Sequence, residues 1–151
     1  MSTRRSERPT SVYLLIAGLA FQGLSGLFGG IGLIVDPTGS LLQIPVEWLG
    51  GSPFENYLIP GLVLLLVLGV VPLVVLYGLW RRASWAWLGA RLVAAALLIW
   101  IGVEVLAIGY QPEPPLQLIY GLLGVVLLAG SLAPSVRRYC GAPSPREASA
   151  G

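Results

Sequence analysis

The chain contains no histidine and no lysine, a single cysteine (Cys140) and a single methionine, Met1. Haem ligation by histidine or an internal methionine is therefore excluded on inventory, as is a histidine-rich zinc site. One thiol makes no internal disulfide, and no Cys-x-x-Cys pair exists for redox or metal chemistry. Charge is also scarce. Charged residues make up 11% of the chain against 56% hydrophobic, where a soluble domain carries about a quarter charged, so an ordinary water-facing surface cannot be built. With no nucleophile–base pair and no metal set, the chain reads as non-enzymatic and implies no cofactor.

What is present is apolar length broken by sorted charge. A bilayer core about 30 Å thick needs roughly 20 apolar residues per helix, and four such runs fill the sequence: about 11–35, 57–80, 85–110 and 116–132. All basic residues are arginine. Arg4, Arg5 and Arg8 precede the first run, Arg81 and Arg82 separate the second from the third, and Arg137, Arg138 and Arg146 follow the fourth. The two intervening junctions carry only acid: Asp36, Glu47 and Glu55 in one, Glu113 in the other. Positive residues stay on the cytoplasmic side, so the alternation predicts an all-α bundle of four antiparallel transmembrane helices in the plasma membrane, both termini cytoplasmic.

The organisation expected is a tail over 1–10, a membrane domain over 11–133 and a disordered tail over 134–151, rich in Pro, Ser, Ala and Gly. A secretory signal also starts with basic residues and an apolar run, but this run is too long and no Ala-x-Ala follows it. The arginines read as topology signals and lipid-headgroup contacts, Arg81, Arg82, Arg91, Arg137 and Arg138 among them, rather than a nucleic-acid surface. Arg91, the only one inside a run, lies about one and a half turns from its end and can snorkel to the headgroups.

The outer loop, 36–56, opens with turn chemistry in Asp36-Pro37-Thr38-Gly39. Residues 41–49 are too apolar for a free aqueous loop and too short to span, which predicts an amphipathic interfacial segment with Trp48 at headgroup depth. Gly50 and Gly51 are expected to break it, with Ser52 capping the next turn and Pro53 at its first position. The three loop carboxylates are expected to be solvated rather than a metal site. In the second run, Pro72 predicts a kink whose freed carbonyl is satisfied by a neighbour.

Two features inside the runs stand out. Gly18, Gln22, Gly26 and Gly30 recur at every fourth position, one helical face suited to close packing or an oligomer contact, with Gln22 able to bond across the seam. Glu104 is the one acidic residue deep in a run, and such carboxylates usually mark a pathway or a proton-linked site. Arg91 lies about 20 Å away along the helix and about 140° around it, so no salt bridge within the subunit is expected. The neutral groups near its depth are Tyr57, Tyr110, Gln117 and Tyr120, with Trp100 one turn below on the same face. Glu104, Tyr57, Gln117 and Tyr120 thus form a candidate proton or cation site. The alternative is a neutral glutamic acid knitting the bundle.

Four segments carry a resemblance: Asp36-Pro37-Thr38-Gly39, residues 52–61 (SPFENYLIPG), Ile108-Gly109-Tyr110 with Leu116-Gln117, and Pro134-Ser135-Val136-Arg137-Arg138. Together they resemble short, uncharacterised four-helix membrane proteins of high-GC bacteria. The resemblance implies the fold and carries over no activity. Small multidrug exporters have similar size and one membrane glutamate, but in their first helix; vitamin K epoxide reductase-like enzymes need cysteine pairs missing here. The leading expectation is a structural or accessory membrane protein whose partners are the bilayer and a second copy or another membrane protein. A proton- or cation-coupled transporter or channel using Glu104 is the alternative, and a membrane enzyme the third.

Overall fold

The computed structural model describes residues 8–113 and 115–141. The first helix is Thr10–Val35, the second Leu58–Trp80, the third Ala86–Ile108 and the fourth Leu116–Leu132, followed by a short fifth, Pro134–Tyr139. Two 3₁₀ turns, Ser40–Leu42 and Val46–Gly51, occupy the first loop. There is no strand among the described residues. The first three helices are long and apolar enough to cross a membrane. The fourth, with 17 residues, is about 26 Å long, at the lower limit for crossing.

Close backbone approach sets the pairing. A Cβ at Gly30 would meet the backbone of Leu65, at Gly26 that of Leu68 and at Gly23 the side chain of Leu73, so the first two helices run antiparallel. Gly18 and Gly130 pack on Leu127 and Leu15, setting the fourth helix antiparallel to the first. Gly78 against Trp85 and Gly124 against Leu98 do the same for the second with third and third with fourth. The ring of four is closed, and the fully buried Leu15, Leu19, Leu79, Ala90 and Leu127 concentrate the core towards the end that holds Arg8 and Cys140. Outward faces are apolar on every helix, with Phe28, Leu106, Ile99 and Leu122 all exposed. So continuous an apolar surface has no place in water.

The second helix contains a π turn, Leu66–Val70, one residue before the Val71–Trp80 segment that carries Pro72. Proline lacks an N–H and its ring crowds the carbonyl four residues back, and widening the turn relieves the crowding. The helix ends with Ala83 N–H bonding Gly78 and Arg82 N–H bonding Leu79, a Schellman arrangement. Arg82 takes the left-handed position usually given to glycine, at φ 56°.

Three expectations are corrected. Residues 134–141 are not a disordered tail: Pro134 starts a helix, Val136 is fully buried and Cys140 is 3% exposed. Residues 142–151, with Arg146, and residues 1–7, with Arg4 and Arg5, lie outside the described residues. The interfacial segment is not one amphipathic stretch but two 3₁₀ turns interrupted at Gln43-Ile44-Pro45. Pro45 disfavours helical backbone at Ile44 and offers no N–H, so the first turn cannot propagate into the second. Ser52 caps a bend rather than a helical turn: its hydroxyl accepts from Phe54 N–H, as expected, and donates to the Leu49 carbonyl at 2.9 Å. The second helix begins at Leu58, whose N–H is taken by Asn56 Oδ1 at 3.0 Å.

Candidate functional site

The glycine face of the first helix is occupied by the chain's own second and fourth helices. Gln22, Gly26 and Gly30 are buried and Gly18 is half-buried, so this face packs the bundle and is not open to a second copy. Within it, Gln22 Nε2 donates to the Leu68 carbonyl at 3.1 Å, while Gln22 Oε1 is buried without a partner. Leu68 is four residues before Pro72 and therefore has no α-helical donor.

Of the groups expected beside Glu104, Gln117 and Tyr57 are hydrogen-bonded to the chain's own backbone. Gln117 is committed to the turn between the third and fourth helices: its Oε1 accepts Gln111 N–H at 2.8 Å and its Nε2 donates to the Gly109 carbonyl at 3.2 Å. Tyr57 is buried, donates its hydroxyl to the Pro45 carbonyl at 2.7 Å, and donates its N–H to Pro37 at 2.8 Å. Tyr120 stacks on Phe21 with centroids 5.9 Å apart, and Tyr110 is exposed. Glu104 is half-buried with the Trp100 indole beside it. Tyr57 lies near enough to feel the charges of both Glu104 and Glu47.

The loop end is braced from within. Asp36 Oδ1 accepts the N–H and hydroxyl of Thr38, and Oδ2 accepts Leu41 N–H at 2.8 Å. These bonds hold its carboxyl below the usual carboxylate range, the Thr38 hydroxyl contributing most. Gly39 sits at φ 81° against the Tyr57 ring, where a Cβ would collide.

The arginines of separate segments gather at the opposite end. Arg8 Nε donates to Tyr139 hydroxyl at 2.9 Å, and its guanidinium carbon sits 4.0 Å from the centre of Trp80. Arg82 covers Tyr139 at 4.7 Å and Arg81 covers Tyr77 at 5.8 Å. Arg91 and Arg137 both face Trp87, and Arg138 is exposed. Ser11 and Ser135 hydroxyls meet at 2.7 Å. Sequence reading placed these arginines but missed their aromatic partners. Trp87 and Arg91, four residues apart on one helix, were the available signal.

Helix length, outward apolar faces and charge gathered mostly at the two ends suggest a membrane-embedded helical protein. Comparison with protein-family models, curated proteins and solved structures gives no match.

Proposed function

We propose that this chain crosses the plasma membrane four times with its arginine end in the cytoplasm, and that it serves a structural or accessory role through its outer loop and exposed helix faces. The observation that carries this reading is the commitment of the interior polar side chains to the chain's own backbone. Gln22, Gln117 and Tyr57 each close a joint of the bundle, which fits a scaffold better than a solute path. Orientation is supported by the grouping of Arg8, Arg81, Arg82 and Arg137 at one end, opposite Asp36, Glu47 and Glu55.

The loop offers Leu41, Val46 and Phe54 as exposed apolar side chains beside exposed Glu47 and Glu55, a surface for another membrane protein. Photo-crosslinking from Leu41 or Phe54 should give one discrete adduct. A smear of unrelated neighbours would reject the accessory role. For orientation, Ser52→Cys in a Cys140→Ala background should react with an impermeant thiol reagent from outside, and Ser84→Cys should not.

A second reading, a small proton- or cation-coupled transporter, draws on Glu104: a half-buried carboxylate in the outer half of the bundle with an indole rather than an arginine beside it. In proteoliposomes, Glu104→Gln should then abolish proton-linked flux while the fold persists. Flux equal to wild type would dismiss it.

A further inference from the structure

Arg91 and Arg137 come from different helices and both lie against the ring of Trp87. Their guanidinium carbons lie 5.0 Å and 4.8 Å from the centroid of Trp87, which places the two cations within about 10 Å of each other, each in cation–π range. Both side chains are half-buried, and the Nε of each is buried without a hydrogen-bond partner. Among the described residues neither arginine is paired with a carboxylate. Asp36, Glu47, Glu55 and Glu113 belong to the far end, and Glu104 lies three turns further along the third helix from Arg91.

The convergence is built by the short fifth helix. Val136 is fully buried, and Cys140 sits in the core beside the Trp87 backbone. That docking holds Arg137 where Arg91 reaches. Two like charges on one indole repel, and the ring face offsets only part of each. The buried Nε atoms have no protein acceptor to offset their charge. An anion with acceptor oxygens on several sides, gripped by both planar forks, relieves the repulsion. A carboxylate presents its oxygens in one plane to one fork, whereas a phosphate can serve forks arriving from two helices.

We propose that Arg91, Arg137 and Trp87 form a binding site for the phosphate of an anionic phospholipid in the leaflet at the arginine end. The site rests on the membrane reading above. In that setting Arg91 lies just inside the boundary, at the depth of lipid phosphates, and Trp87 is an interfacial indole against which both forks lie.

The full chain is first tested by carbonate extraction of membranes. Release into the soluble fraction rejects the membrane reading and the site with it; retention leaves the site to be judged alone. The purified protein in micelles is then given equimolar phosphatidylglycerol and phosphatidylcholine and weighed intact by native mass spectrometry. The expected result is about tenfold preference for the anionic lipid, lost in Arg91→Gln and in Arg137→Gln and kept in Arg138→Gln, whose side chain is exposed on the same short helix. Arg91→Lys, which keeps the charge but not the fork, should lose most of the preference with the unfolding midpoint unchanged. Equal retention of both lipids overturns the proposal, as does an equal loss in Arg138→Gln. Displacement of the lipid by millimolar inorganic phosphate assigns the site to a soluble anion and overturns the lipid assignment.

Discussion

Gln22 on the first helix donates its side-chain amide to the Leu68 carbonyl on the second at 3.1 Å, and Leu68 is the residue that Pro72 deprives of an α-helical donor. One helix supplies the N–H that another lacks. The same crossing is the point of closest approach: a Cβ on Gly26 would fall on the Leu68 carbonyl group, and one on Gly69 on the backbone around Gly26. The π turn, the proline, the glycines and the glutamine are one joint.

That joint predicts non-additive substitutions. Gln22→Leu should cost about 1 kcal/mol, the scale of one interhelical bond in a membrane. Pro72→Ala restores an N–H opposite Leu68, so in that background the loss from Gln22→Leu should shrink. A double-mutant cycle on reversible unfolding in micelles measures the coupling, and strictly additive losses would contradict the pairing.

Glycines differ sharply in what a methyl group would meet. At Gly26 the obstacle is backbone, which cannot swing aside, so Gly26→Ala should cost about 2 kcal/mol by overpacking. At Gly102 nothing lies within 4 Å, and Gly102→Ala should gain about 0.5–1 kcal/mol from helix propensity. Thermal unfolding of the two variants side by side is the check.

Gln117→Leu removes both bonds that tie the turn between the third and fourth helices. The Gly109 carbonyl and Gln111 N–H are then left to solvent or unpaired, at a cost of about 1–2 kcal/mol. Hydrogen exchange at Gln111 should accelerate while exchange at Leu97, deep in the core, stays slow. Unchanged exchange at Gln111 would show that the turn does not depend on this side chain.

Alkaline stability should carry a contribution from Cys140. Burial pushes its thiol above the ordinary 9.0. A thiol raised in the folded state stabilises fully below that ordinary value, and the contribution is lost as pH rises from there through the folded value, because the unfolded chain ionises first. Cys140→Ala should therefore flatten the fall in unfolding midpoint above pH 9 relative to wild type. Parallel curves would mean that the thiol is not buried. Asp36 has the opposite sign: its loop contribution persists above the ordinary 3.8 and disappears as pH falls through the lower folded value. Limited proteolysis of residues 36–56 should accelerate only in acid.

The long helices were legible because an apolar run between prolines or arginines leaves the backbone one way to satisfy itself; the fourth helix matches residue for residue at 116–132. The fifth was not. Pro134-Ser135-Val136-Arg137-Arg138-Tyr139 is polar and short, and only the slots that receive Val136 and Cys140 make it a helix. The outer loop went astray at Pro45, where composition suggested one segment and local backbone chemistry made two turns. For Gln22 the helical face was legible but the register of the helix opposite was not. Counting back four from Pro72 would have pointed to Leu68. Around Glu104, shared depth was visible and commitment was not: Gln117 and Tyr57 were already taken by backbone groups that no periodicity reveals.

Arg8 bonds Tyr139, and Ser11 bonds Ser135, across nearly the whole length of the chain. A ribosome delivers residue 139 long after the first helix has left it. Until then, the side of that helix that takes the fourth helix at Gly18 and Gly130 has no neighbour. The first helix is thus fastened twice, early to the second helix and late to the fourth and fifth, and a chain cut short before Pro134 would lack the late latch.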